Sequence, residues 1–372
     1  MDLRAGPPLV SFVLPCYKHG HFLAECVRSI LGQTYANFEV LIMDDCSPDE
    51  TPAIAASFDD RRVRYIRNEV NLGHLANYNK GIALARGEYV WLINVDDYLR
   101  RNYVLERFVE TLERHPDASF VFCPAVQVHQ GEEGAVFGRH GVTDAVFSSD
   151  AFLKRLLVRN RVATPTAMVR KTSYDRMGLF EPDLPYAGDW FQWCRHALFG
   201  KVAYLAEPMV CYRFHDQNMS ISHREQPMIV INDEVAVRWR ARATAQSLGR
   251  QAVVRAALDE IANDYGERVA QRVAGGSTFG LTFEQFEASL NAHCQKASEK
   301  RFIRAAVFTA VGDHYYHHGG PWAARHYYFR ALRHWPGDLR TWAKGALLAT
   351  GSIGRAVRAS LTQRLRLNQE HG

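Results

Sequence analysis

Three groups of residues have types and spacing suited to chemistry. Asn94-Val95-Asp96-Asp97 follows directly on Gly87-Glu88-Tyr89-Val90-Trp91-Leu92-Ile93, an apolar run of strand length that ends in paired carboxylates. Phe38-Glu39-Val40-Leu41-Ile42-Met43 runs likewise into Asp44-Asp45, and Val10-Ser11-Phe12-Val13-Leu14 stops at Pro15. An α/β sheet binds and transforms its ligands at the carboxyl ends of its strands, so these three ends are expected to meet at one crevice. Further on, Ala187-Gly188-Asp189 puts another acid at the start of a helical stretch, and His215 follows the last strand-like run.

The elements that must position these groups alternate. Phe22, Leu23, Cys26, Val27, Ile30 and Leu31 recur at helical spacing after the first strand. Ser47-Pro48-Asp49-Glu50-Thr51 starts a short helix with Pro52 in its first turn, and residues 63–66 form a third strand. A helix opens at Asn71-Leu72-Gly73 and stops at Gly87, before the strand that leads to Asp96. Helices over 105–112, 149–158 and 189–198 and strands over 119–123, 167–169, 202–205 and 209–212 continue the series. Residues 130–141, rich in Gly, Glu and His, read as an exposed hairpin or loop. Alternation on this scale predicts a doubly wound, mostly parallel sheet, Rossmann-like, over residues 1–222.

Beyond 226 strand signals vanish, and residues 223–372 are expected to form an all-α domain. Gly312, Tyr315, Gly319, Ala324, Tyr328, Ala331 and Pro336 fall at the spacings of a tetratricopeptide helix pair, one such unit near 305–338. An unrelated helical hairpin would satisfy the same residues, because a repeat needs neighbours to bury its faces.

A chain of 372 residues with 47% hydrophobic and 23% charged residues is globular and long enough for two units. The net charge of +5 is concentrated late: from Arg301 onward eleven Arg and Lys stand against three Asp and Glu. That tail is either a solvated helical face or a neighbour for something acidic; no nucleic-acid module accompanies it. Seven cysteines without a CxxC pair point to reduced thiols. No uninterrupted apolar run reaches the roughly 18 residues of a membrane span. The expected location is cytoplasmic, with any membrane contact peripheral, at the inner face of the membrane through basic residues such as Arg355, Arg358, Arg364 and Arg366.

Over residues 9–222 the chain resembles the family 2 glycosyltransferases of GT-A fold, inverting enzymes that use nucleotide sugars. The likeness rests on Pro15-Cys16-Tyr17-Lys18, Ser29-Ile30-Leu31-Gly32-Gln33-Thr34-Tyr35, Asp44-Asp45-Cys46-Ser47-Pro48-Asp49, Asn71-Leu72-Gly73, Ala85-Arg86-Gly87-Glu88-Tyr89, the Asp96 cluster, Gly188-Asp189-Trp190 and Tyr212-Arg213-Phe214-His215-Asp216-Gln217-Asn218-Met219-Ser220. The resemblance implies a GT-A domain followed by the helical extension. It also implies transfer of a sugar from a nucleoside diphosphate, UDP being favoured, to a hydroxyl of a glycan, glycolipid or other lipid-linked acceptor in surface polysaccharide synthesis. Pro15, Tyr17, Asp45, Asn71, Asn94 and Asp96 would face the nucleotide sugar, Asp45 by accepting a hydrogen from the base while Asp44 braces the loop.

Breaking the anomeric bond leaves charge on the diphosphate, which a Mn²⁺ or Mg²⁺ ion with oxygen ligands and open positions can stabilise. By resemblance Asp96 is the firm ligand, Asp97 the second choice and His215 the late partner. Asn94 stands where the family carries the first Asp of its metal motif, and as an amide still offers a neutral oxygen. Tyr78 replaces a common Arg, and Gly188 an acidic residue. Asp189 is the candidate general base for the acceptor hydroxyl, expected to be held ionised by the helix dipole. Blander readings stand beside these. Asp96-Asp97 and Asp189 could be helix caps, His215 a surface histidine, and Trp190 and Trp193 core residues rather than sugar platforms. A catalytically degenerate binding or scaffold protein acting through its helical domain would explain Asn94 and Gly188, but not the retention of both Asp96 and Asp189.

Overall fold

The computed structural model describes residues 6–218, 221, 223–318 and 320–349. The chain divides into two compact units, Met1–Ala256 and Ala257–Gly372. The first therefore includes the helix at Pro227–Ser247, beyond the sheet-domain end expected at 222. Ser222 itself, with Met219, Ser220, Gly319 and the four tail arginines, lies outside the described residues.

In chain order the strands are β1 Val10–Cys16, β2 Phe38–Asp44, β3 Val63–Arg67, β4 Tyr89–Leu92, β5 Tyr98–Leu99, β6 Ala118–Phe122, β7 Ala125–His129, β8 Glu132–Phe137, β9 Ala145–Phe147, β10 Ala167–Arg170, β11 Lys201–Tyr204 and β12 Val210–Phe214. The helices of the first unit are α1 Gly20–Leu31, α2 Thr51–Ala56, α3 His74–Leu84, α4 Val104–Arg114, α5 Ser149–Val158, α6 Lys171–Met177, α7 Gly188–Phe199 and α8 Pro227–Ser247. The main sheet has the order β3-β2-β1-β4-β10-β6-β11-β9. Its first four strands are parallel, and β1 and β2 are buried along their whole length. Burial on both faces explains why they read as continuous apolar runs. Phe12 of β1 stacks on Trp91 of β4 at 5.5 Å, and Trp91 on Phe108 of α4 at 4.3 Å, which locks the centre of the sheet.

The expected parallel pattern breaks at β10, which enters between β4 and β6 and runs antiparallel to both. Arg170 at its end donates to the carbonyls of Ala118 and Leu112, fastening the reversed strand to the elements beside it. A second sheet, β5-β12-β7-β8, was not apparent from the sequence. Within it β7 and β8 form the expected hairpin, turned at Gln130 and Gly131, both with positive φ as a tight two-residue turn requires.

The second unit begins within α9 Gln251–Gly275 and continues through α10 Phe283–His293, α11 Ala297–His317, α12 Pro321–His334 and α13 Leu339–Ala349. A Cβ at Gly312 of α11 would meet the Tyr328 ring at 2.6 Å, so only glycine lets α11 and α12 approach this closely. Tyr328 Oη then donates to Asp313 at 2.8 Å. These are the small and aromatic residues whose spacing suggested a helix pair. Among the described residues no helix is long and apolar enough to cross a membrane.

Candidate active site

The ends of β1, β2 and β4 open on a cleft of about 630 Å³, within the size range of small-molecule sites. Of the expected site residues, Pro15, Tyr17, Asp45, Asn71, Asn94, Asp96 and Asp189 all line it. His215 does not, but reaches Asp96 from the side.

Asp44 and Asp45 end β2 and are spent largely on scaffolding. Asp44 accepts from Ser47 N at 2.8 Å, from Tyr65 Oη at 2.6 Å and from Arg67 Nη1 at 2.6 Å, so it braces the loop as expected. Asp45 Oδ1 accepts from Asn68 and from Leu72 N, and Oδ2 from Gly73 N at 3.0 Å. A carboxylate has about four lone-pair sites, so Asp45 retains roughly one for a ligand. Asn71 Oδ1 also accepts from Gly73 N, at 2.9 Å. Tyr17, 39% exposed, stands at the mouth beside Lys18, whose φ of 61° is unusual for a residue other than glycine.

Asp96 and Asp97 sit in the turn from β4 to β5, and β5 pairs with β12, whose last residue precedes His215. This pairing joins residues more than a hundred positions apart: His215 Nε2 stands 3.1 Å from Asp96 Oδ2, and Asn218 Nδ2 3.4 Å from the same oxygen. Arg213 sews the strand to the turn. Its amide donates to Asp97 Oδ1 at 3.0 Å, its Nε to the Asp96 carbonyl at 2.8 Å, and its guanidinium pairs with Glu25 of α1. Asp97 points away from the cleft: Oδ2 is buried without a partner, and burial beside the Asp96 charge pushes its pKa well up. Asp97, the second-choice ligand, therefore does not face the cleft. Asn94 Oδ1 accepts from the buried Tyr78 hydroxyl at 2.8 Å, so one lone pair of the oxygen expected to face a ligand is already taken.

The donor pair, one carboxylate and one imidazole, fits a divalent cation that accepts nitrogen as well as oxygen. Two donors at right angles on an octahedral ion with bonds of about 2.1 Å stand about 3 Å apart, as Asp96 and His215 do. No group of three or more acidic, His or Cys side chains that could hold a metal occurs among the described residues. The chain would thus supply only these two donors and leave the other positions open.

Asp189 lies in the first turn of α7, not at its cap, which is Ala187. Its Oδ1 accepts from Trp190 N at 2.6 Å, and its Oδ2 from Asn160 Nδ2 and Thr164 Oγ1, each at 3.3 Å. These hydrogen bonds favour the anion, but burial outweighs them and raises the pKa from 3.8 to about 6. The expected helix-dipole effect does not dominate, yet the group stays mostly ionised at neutral pH. A Cβ at Gly188 would stand 3.1 Å from the Leu75 methyls, so an acid there would require Leu75 to shift by a few tenths of an ångström. Trp190 and Trp193 are buried, with their indole N–H groups donating to Leu156 and Val162 carbonyls, so both are core residues.

Residues 11–177 match the sequence family described as glycosyl transferase family 2. The chain carries a family 2 glycosyl transferase domain. Relatives include an uncharacterised glycosyltransferase of Haemophilus influenzae, 27% identical over 227 residues, covering 59% of this chain and 70% of the relative. An uncharacterised Mycobacterium tuberculosis protein is 31% identical over 216 residues, which are 55% of this chain and 59% of that one. The glycosyltransferase GlyG of Streptococcus pneumoniae is 37% identical over 111 residues, 29% of this chain and 37% of its own. Among solved structures, S. aureus TarS 1-349 in complex with UDP-GlcNAc aligns over 87% of this chain and 91% of its own, with a TM-score of 0.59 and 16% identity. The same TarS fragment with UDP gives 0.54 at 15% identity. These likenesses establish a shared fold. Asp189 and His215 fall beyond the family-matched segment but within the same compact unit of the glycosyltransferase.

The sequence did not single out Asn160, Thr164, Asn218 or the role of Arg213. Their signal is spatial: each acts on a carboxylate at least 25 positions away.

Proposed function

We propose that this glycosyltransferase moves a sugar, with inversion, from a nucleoside-diphosphate donor to an acceptor hydroxyl. The observation that carries the reading is that Asp96, backed by His215, and Asp189 line one cleft of about 630 Å³. The nucleoside would lie over the ends of β1 and β2, along Pro15, Tyr17, Asp45 and Asn71. UDP is favoured on the resemblance and on the ligands crystallised with TarS.

Charge supports metal dependence. Among the described residues, Asp45, Asp96 and Asp189 line the cleft against one cationic side chain of fixed charge, Lys18. A diphosphate entering so acidic a site needs a compensating cation. Mn²⁺ or Mg²⁺, held by Asp96 and His215, would supply electrostatic stabilisation of the departing diphosphate. Asn94 and Asn218 orient the neighbourhood of Asp96. Asp189 takes the proton of the acceptor hydroxyl as that oxygen attacks the anomeric carbon from the side opposite the leaving group. Asn160 and Thr164 hold its carboxylate for this. A glycan or lipid-linked acceptor in surface polysaccharide synthesis, reached by peripheral contact of the basic tail with an anionic membrane, fits the charge distribution.

In a thermal-shift series with UDP, stabilisation is expected only with Mn²⁺ or Mg²⁺, and Asp96→Ala should abolish it. Stabilisation by UDP that is equal with and without metal, or unchanged in Asp96→Ala, would overturn the cation assignment.

A further inference from the structure

Helix α8 lies beyond the family-matched segment, yet among its buried charged side chains are Asp233 and Arg238, each 6% exposed. Buried charge is costly unless specific partners compensate it. Both residues spend theirs on backbone groups around Asp189. Asp233 Oδ2 accepts from Tyr186 N at 2.7 Å and from Ala187 N at 3.1 Å, two consecutive amides just before Gly188-Asp189. Arg238 Nε donates to Leu157 O at 2.9 Å and Nη2 to Val158 O at 3.2 Å. Its guanidinium also lies 4.8 Å from the Trp190 ring centroid. Two residues after Val158, Asn160 donates to Asp189. The two segments that hold the base, before α7 and after α5, are thus each tied to one helix.

We propose that α8 is part of the catalytic apparatus, with Asp233 and Arg238 as positioning residues that fix the carboxylate of Asp189 in its enclosed setting. The inference rests on Asp189 as the general base. Asp233 clamps the amides that set where α7 begins, and Arg238 anchors the carbonyls that place Asn160. Because one oxygen of Asp233 takes both amides, an asparagine carbonyl could do the same, so the clamp depends on acceptor geometry rather than charge. The groups facing Asp189 are Asn160 and Thr164 from the segment after α5, Tyr78 from α3 and Cys194 on α7 itself. Release of the clamp would admit water and bring the Asp189 carboxyl down towards its ordinary value.

The test reads that titration without a substrate. The melting temperature of Asp189→Asn relative to its parent is measured from pH 4 to 8 in wild-type, Asp233→Ala and Asp233→Asn backgrounds. The difference should grow through about pH 6 in wild type and in Asp233→Asn. In Asp233→Ala its midpoint should fall by at least about one pH unit, and kcat for hydrolysis of UDP-GlcNAc by about tenfold or more, with the KM little changed. An unmoved midpoint in Asp233→Ala, or an equal shift in Asp233→Asn, would overturn the proposal. Should Asp233→Ala fail to fold, Arg238→Gln makes the same test from the other segment. If Asp189→Asn keeps wild-type transfer, the base assignment fails instead, which a clamp failure leaves intact.

Discussion

The two sides of the cleft hold their acids in opposite ways. On the side proposed for the nucleotide, Asp44 is paired with Arg67, and Asp45 is wrapped by Asn68 and the amides of Leu72 and Gly73, all set by parallel strands and the turns that follow them. On the side proposed for the acceptor, the hydrogen-bond donors to Asp189 among the described residues are neutral, and burial raises it to about 6. An acid whose oxygens are mostly taken by partners is a fixture of the binding surface. An acid enclosed among a few neutral donors keeps a pKa near the operating pH, which is what proton transfer asks of a general base.

The largest expected effect breaks that contrast outright. Asp189→Asn should lower sugar transfer by about 10³-fold while UDP binding with metal stays within about twofold of wild type, as calorimetry would show. Transfer at the wild-type rate would remove the distinction between the two sides. Next comes pH. Below about 6 the log of kcat should fall with a slope near one as Asp189 takes up a proton, and above it the profile should level.

The same titration fixes a stability effect. Because the folded pKa of Asp189 lies above the unfolded value of 3.8, its contribution favours the fold fully below about 3.8 and is lost as pH rises through about 6. Asp189→Asn should therefore exceed wild type in stability by about 1–3 kcal/mol at pH 7.5, with little difference at pH 4, in urea melts. A smaller effect belongs to the nucleotide side. Asp44→Asn should lower the melting temperature by several degrees, since it weakens a buried acceptor of three donors, with no new limb in the pH–rate profile. Tyr78→Phe removes one hydrogen bond to Asn94, worth about 1 kcal/mol, and should raise the KM of the donor only a few-fold.

What could be read from the chain follows the same division. The strands ending at Pro15, Asp44-Asp45 and Asn94 to Asp97 were legible because doubly buried parallel strands must be apolar throughout and their ends must carry the polar groups. Helix α5 was legible to its bounds through Ser148 at its cap and its apolar spacing. The reversed strand β10 was not, since an apolar run has no direction. The second sheet was hidden because β5 is two residues long and β8 is largely exposed. Helix α8 was assigned to the helical extension because periodicity reveals a helix but not what it packs on, such as the segments that its buried Asp233 and Arg238 meet. In sequence Asp97 ranked second to Asp96 as a ligand. Only the meeting with Arg213 turns one inward and leaves the other at the cleft.

That stitch by Arg213 also sets the smallest portion of the polypeptide that can be moved into another protein. A fragment cut where the family match stops would discard β12, strip Asp97 of its amide partner and free Glu25 of α1. Chimeras that exchange donor preference between related enzymes should therefore be joined after residue 256, keeping the late strand with the early carboxylates it secures.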